Sequence, residues 1–264
     1  MKQLIWYPLV LFVLVFATAG TIRADVIKKE GMVSGKKKRH YYLYVPKNHD
    51  KATPAPLIVV LHGSGDNGLM PVKRWRDLAE KEGILIAGPN SVDPQNWRIP
   101  TDAPEFIYEM VEMLRQKHSI DPKRIYLFGH SGGAIVALYL ALLQSEYFAA
   151  ASIHAGAMRP EDGPFIERTR RKIPLSLFVG TNDPLFPVKD LRQTRDMLTS
   201  RGFSVDLTEI KGHNHDYKSR SVEINPMIWD FFKKHQLADQ PQHRLYNWDK
   251  VRPVIEEVRE ERGN

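Results

Sequence analysis

The stretch "RIYLFGHSGGAIVALYLALL", residues 124–143, constrains the fold more tightly than any other part of the chain. Ile125-Tyr126-Leu127-Phe128 is a short apolar run that reads as a strand, and Ser131 to Leu143 reads as a helix apolar on nearly every side. A helix without a polar face has to be enclosed by other elements. A strand apolar on both faces has to be covered on both. Helices packed on the two sides of one mostly parallel sheet satisfy both demands, which makes the expected class α/β.

Other segments repeat the alternation. His40–Val45, Pro56–Leu61, Ile84–Ala87, Ala149–Ile153, Pro174–Val179 and Val205–Ile210 read as strands. Val72, Trp75, Leu78 and Ala79 keep helical spacing, as do Phe106, Ile107, Met110, Val111 and Leu114, and Leu191–Leu198 adds another helix. Asn225-Pro226 reads as a cap and first turn, opening a helix that turns Met227, Ile228, Phe231 and Phe232 to the core. No repeat or low-complexity tract interrupts the pattern.

At 264 residues the chain suits one large core. Lys2, an apolar run from Leu4 to Ala17, small residues and Arg23-Ala24-Asp25 read as a secretory signal cleaved after Ala24, with Ala19 as the alternative. The expected organisation is a signal peptide at 1–24, one folded domain at 25–237 and a C-terminal extension at 238–264, held down by Trp248, Val251, Val254 and Ile255. The chain has no cysteine, so it can hold neither a disulfide nor a thiolate metal site. Secreted or periplasmic, it has to stand on its core alone. The net charge of +7 owes much to Lys36-Lys37-Lys38-Arg39, which is expected to face solvent. With no aromatic residues or reading helix joined to that run, no nucleic-acid partner is expected. No stable membrane insertion is expected after signal cleavage.

Ser131 stands where the strand turns into the helix, and Gly129 and Gly133 remove side chains from the crowded crossing. A serine so placed projects from the sheet end above a helix N-terminus, the position of an activated nucleophile. A developing oxyanion then needs two amides. Gly132 follows the serine, and "LHGSGDNG", residues 61–68, supplies Ser64, with Gly63 as the alternative. His62 reads as a structural residue of that loop. Asp183, in the turn after an apolar strand, is the expected acid; Asp190 begins a helix and Asp206 lies inside a strand. The base follows the next strand, where "GHNHDY" offers both His213 and His215. These histidines with Asp183 and Asp216 would also suit a metal, but that reading leaves Ser131, its glycines and the donor loop unexplained. No metal and no cofactor are expected.

Together, "LIVVLHGSG", "SIDPKRIYLFGHSGGAIVA", "PLSLFVGTNDPLFP" and "GHNHDY" resemble the α/β-hydrolase family, over about residues 38–236. Within it the chain is similar to exported serine esterases related to polyhydroxybutyrate depolymerases, feruloyl esterases and acetylxylan esterases. The resemblance implies an α/β-hydrolase fold and a nucleophile–acid–base order of Ser131, Asp183 and a histidine near 215. A His-x-aromatic ending at the base matches His215-Asp216-Tyr217, which selects His215 over His213. Two departures stand out. Ser64 occupies a place where many of those enzymes have cysteine, and the chain lacks both their disulfides and their binding module.

These residues imply a serine esterase working through an acyl-enzyme. Between Ile153 and Pro174 there is too little chain for a large lid domain. An open site suits bulky, polysaccharide-linked or polyester-linked esters, with Trp97 in "NSVDPQNWRIPTD" as an expected wall for an aryl or sugar ring, plain loop packing being the alternative. The alternatives are a serine peptidase of the same fold and a non-catalytic binding protein that retains the fold.

Overall fold

The computed structural model describes residues 26–247. The signal peptide at 1–24 and the anchoring residues Trp248, Val251, Val254 and Ile255 lie outside them. In chain order the strands are β1 (Lys28–Ser34), β2 (Lys37–Tyr44), β3 (Ala55–Leu61), β4 (Leu85–Pro89), β5 (Ile120–His130), β6 (Ala150–His154), β7 (Leu175–Gly180) and β8 (Val205–Ile210). The helices are α1 (Leu69–Glu82), α2 (Glu105–Lys117), α3 (Gly132–Leu143), the short α4 (Gly163–Glu167), α5 (Val188–Thr199) and α6 (Tyr217–Phe232). They build one eight-stranded sheet in the order β1-β2-β4-β3-β5-β6-β7-β8. The β1–β2 and β2–β4 pairs are antiparallel, and all the others are parallel.

Side chains of a strand alternate between the two faces, so an unbroken apolar run feeds two cores. In β3, Leu57, Val59 and Leu61 join residues of α2, α3 and α5 on one face. Ile58 and Val60 join Val72, Trp75 and Ala79 of α1 and Ile224, Ile228 and Phe232 of α6 on the other. Parallel pairing sets the ends of β3, β5, β6 and β7 at one rim, and the loops leaving that rim carry the polar residues singled out above. Between β6 and β7 the described chain forms only a one-turn 3-10 helix at Pro160–Asp162 and α4. Among the described residues no large extra domain covers the rim.

The structure departs from the sequence reading in four places. β1 was not expected: it is a polar edge strand with only Ser34 buried, so hydrophobic periodicity gives it no signal. In the basic run, Lys36 to Lys38 face solvent but Arg39 is buried, paired to Asp102 at 2.7 Å. α6 begins at Tyr217, capped by the Asp216 side chain on the Lys218 amide, and Asn225-Pro226 lies within it. Asn225 looked like a cap because it precedes proline; instead it is a buried polar link. Its Oδ1 accepts from Tyr217 Oη at 2.5 Å and its Nδ2 donates to the Arg74 carbonyl at 2.9 Å. Met227, expected in the core, is exposed. Past residue 237, Gln144 exchanges two hydrogen bonds with the backbone of Arg244.

Candidate active site

β5 ends at His130 and α3 starts at Gly132, which leaves Ser131 alone at the turn with φ 54° and ψ −121°. An L-residue rarely adopts positive φ, and such strain persists only where the surroundings enforce it. Here the Ser131 amide donates to the His154 carbonyl at 3.0 Å, and the Ser131 carbonyl accepts from Ala134 and Ile135. The crossing is also too tight for side chains. A Cβ on Gly129 would lie 2.3 Å from the Gly133 carbonyl oxygen, and one on Gly133 would lie 2.4 Å from that of Leu61.

The imidazole of His215 spans the gap between an alcohol and a carboxylate. Its Nε2 is 2.9 Å from Ser131 Oγ and its Nδ1 is 2.9 Å from Asp183 Oδ2. The other oxygen of Asp183 accepts from the amides of Leu185 and Phe186, so the turn after β7 fixes the carboxylate. With the Nδ1 proton held by the carboxylate, Nε2 is left with a lone pair aimed at the hydroxyl, an arrangement that can take up the serine proton. Phe186 stacks nearly parallel on the His215 ring, with centroids 5.7 Å apart. His213 turns elsewhere: its Nε2 is 3.3 Å from Nε2 of His154, and its carbonyl accepts from the Asn182 amide.

The loop after β3 faces the start of α3. A Cβ on Gly132 would meet Ser64 Oγ at 2.7 Å and the Ser64 amide nitrogen at 3.6 Å, so the two backbones stand across from each other beside Ser131. Gly63 also approaches closely, since its Cβ would lie 3.4 Å from that of Ser131. His62 braces this loop. Its Nε2 accepts from the Ser91 amide, which leaves the Nδ1 proton for the Gly63 carbonyl at 2.8 Å. Burial lowers the pKa of that ring, in keeping with a neutral, structural imidazole.

Trp97 requires a correction. It is only 5% exposed, its Nε1 donates to the His62 carbonyl at 2.9 Å, and its ring packs on His62. The apolar ring is worth more beneath the loop than in water, so Trp97 holds the loop from behind and forms no substrate wall. The segment carrying it is pinned in turn by Asp102, which accepts from Val92, Arg98 and the buried Arg39.

The resulting cleft is about 380 Å³ and is lined by Gly63, Ser64, Asp66, His130, Ser131, Pro184, Asn214, His215, Asp216 and Lys218. Lys218 pairs with Asp66 at 3.1 Å. His130 is a lining residue that the sequence reading passed over, although it stands beside Ser131. Burial, reinforced by the nearby His215, pushes its pKa down to about 4. Phe186, Asp66 and Lys218 were also missed. Only the residue directly before the serine carried a local hint, because the last residue of a strand at this rim necessarily borders the site. Among the described residues no cluster of three or more histidines and carboxylates is arranged to hold a metal ion.

Comparison with known proteins agrees with the fold. Residues 89–235 match the model of the phospholipase/carboxylesterase family. A bifunctional acetylxylan esterase/xylanase from Neocallimastix patriciarum is 28% identical over 152 residues, covering 55% of this chain and 21% of that protein. A poly(3-hydroxyalkanoate) depolymerase from Paucimonas lemoignei is 31% identical over 115 residues, 39% of this chain and 28% of the relative. The chain thus spans only a fifth to under a third of the length of these two relatives. Among solved structures, a ferulic acid esterase from Anaeromyces mucronatus in complex with ferulic acid superposes with a TM-score of 0.63 at 19% identity, covering 79% of this chain and 91% of that one.

Proposed function

The chain belongs to the phospholipase/carboxylesterase family of α/β-hydrolases, and we propose that it is a serine esterase that hydrolyses carboxylic esters through an acyl-enzyme. One observation carries the reading: a single imidazole bridges Ser131 and Asp183 at 2.9 Å on each side. In the proposed cycle His215 Nε2 accepts the Ser131 proton as Oγ attacks the ester carbonyl. Asp183 stabilises the imidazolium that forms. The amides of Ser64 and Gly132 meet the negative charge on the carbonyl oxygen, where loss of one donor typically costs about 3–4 kcal/mol. His215 then gives its proton to the departing alcohol. A water molecule, deprotonated by the same nitrogen, releases the acid and restores the serine.

The open rim favours esters whose alcohol part extends away from the protein, such as those attached to a polysaccharide or polyester. The relatives that act on acetylxylan and poly(3-hydroxyalkanoate) support that choice. Secretion or a periplasmic location fits such substrates, and no helix among the described residues is long and apolar enough to cross a membrane.

The test compares 4-nitrophenyl acetate with the matched 4-nitroacetanilide. The expected result is rapid turnover of the ester, negligible turnover of the anilide, and loss of ester turnover on treatment with an organophosphonate that modifies Ser131. Comparable cleavage of the anilide would favour a peptidase, and turnover of neither compound would favour a binding protein.

A further inference from the structure

A row of three imidazoles lies behind the reacting pair. His130 ends β5 and His154 ends β6, and the two are register partners in adjacent parallel strands. Their Nδ1 atoms are 3.0 Å apart. On its other side, Nε2 of His154 is 3.3 Å from Nε2 of His213. All three residues are buried. His130 also lies against the His215 ring, with centroids 5.0 Å apart, and borders the cleft beside Ser131.

Two nitrogens at hydrogen-bonding distance share one proton, and a neutral imidazole offers one N–H and one lone pair. The contacts join Nδ1 to Nδ1 and Nε2 to Nε2. Neighbouring rings therefore cannot be the same tautomer. Three neutral rings have just two arrangements. In the first, His213 Nε2–H donates to His154 and His154 Nδ1–H donates to His130, which leaves His130 with its proton on Nε2. In the second, every donor is reversed, and His130 turns a bare Nε2 outward.

We propose that His130, His154 and His213 form one chain of neutral imidazoles with alternating tautomers, directed toward the cleft, so that His130 donates its Nε2–H to an oxygen of the bound ester. With Nδ1 taken by His154, Nε2 is the nitrogen His130 has left for a ligand. The direction follows from the charges at the two ends. Asp183 and Asp66 both favour a proton on His130, and Asp66, paired with Lys218, lies on the cleft wall. At the far end Arg220, the largest single charge acting on His213, favours a lone pair there, against the individually smaller effects of Asp216, Asp183 and Glu223. Burial disfavours the charged form of every ring in the row. The row itself is independent of the esterase reading; its donation to an ester rests on that reading.

The first experiment records long-range ¹⁵N-imidazole spectra of the full chain at neutral pH, assigned through the backbone. The expected pattern is a proton on Nε2 of His130, on Nδ1 of His154 and on Nε2 of His213. Two adjacent rings with the same tautomer, a charged ring, or the reversed set would overturn the proposal. The second compares His130→Phe with the wild type on 4-nitrophenyl acetate. Loss of one substrate hydrogen bond is expected to lower kcat/KM about tenfold in a folded variant, and an unchanged value would remove the donor role. Should that variant fail to fold, the wild-type His130 Nε2–H resonance before and after phosphonylation of Ser131 decides. A shift is expected, and its absence overturns the role. Alternating tautomers in a protein that turns over no ester would leave the row standing and sink the esterase reading instead.

Discussion

His215 Nε2 and Ser131 Oγ lie 2.9 Å apart although 84 residues separate them in the chain. The contact is made by two loops that leave the same rim of a parallel sheet, one after β5 and one after β8. It also separates two histidines that are only two positions apart, because His213 bonds to His154 while His215 reaches the serine. Several measurable consequences follow from this geometry.

Ser131→Ala should fold as the wild type does and lose ester turnover by a factor on the order of 10⁴ or more, the scale for a missing nucleophile in such a constellation. Turnover and circular dichroism measured on one preparation test this together. A folded variant with near-normal activity would remove Ser131 from the mechanism.

His215→Ala should leave almost no acylation at any pH, since the serine then has no proton acceptor. His213→Ala should be milder in activity and costlier in stability, because it breaks a buried contact with His154 and disturbs the loop that carries His215. Pre-steady-state acylation by an activated ester measures the first effect, and urea denaturation the second. Exchanged outcomes would exchange the two roles.

Gly133→Ala should destabilise the fold by more than about 3 kcal/mol, above the usual cost of overpacking. The added carbon would sit 2.4 Å from the Leu61 carbonyl oxygen, and backbone atoms cannot rotate aside as a side chain would. A thermal melt close to that of the wild type would contradict the crossing described for β5 and α3.

Arg39→Met leaves the Asp102 carboxylate buried without its cation, and removal of one partner of a buried pair typically costs about 3–5 kcal/mol. Asp102 also holds the Val92 and Arg98 amides, so the loop that braces His62 should loosen and kcat should fall. Chemical denaturation and steady-state kinetics measure the two effects. A variant as stable as the wild type would show that the pair contributes nothing net.

Stability should fall as the pH drops from about 6.5 to about 4. Over that range an unfolded His130 takes up a proton, whereas in the folded protein burial holds its pKa at about 4. The unfolded state therefore binds more protons, and this one residue accounts for a loss of roughly 3 kcal/mol that levels off below pH 4. Denaturation curves of the wild type and His130→Phe across this range test the assignment. Parallel curves would mean that His130 does not titrate as its burial requires.

The class of the fold was legible because it is written in local patterns. The enclosed helix after Ser131 and the two-sided strands admit few arrangements, and β8 was read with the bounds the structure gives it. Where a signal is ambiguous over short range, the reading failed. Asn225-Pro226 has the composition of a helix start, but packing of Asn225 against Tyr217 and the Arg74 carbonyl keeps it inside α6. Trp97 read as a platform or as loop packing, because a loop tryptophan gives no sign of which side of the loop it occupies.

By itself, then, the sequence determined a covered parallel sheet, a strained serine at a strand–helix crossing, and a short set of acids and histidines on the loops that follow. Residue types and spacing suffice for that, since hydrophobic periodicity and the steric demands of a tight turn act within a few positions. The tertiary structure alone decided that Trp97 turns inward, that Arg39 is buried with Asp102, and that three histidines from β5, β6 and the loop after β8 meet in a row, whereas His215 was already preferred over His213 from its His-x-aromatic ending. The physical reason is that a hydrogen bond depends on the position of two groups to within a few tenths of an ångström. Groups contributed by separate strands acquire such positions only when the sheet register is set.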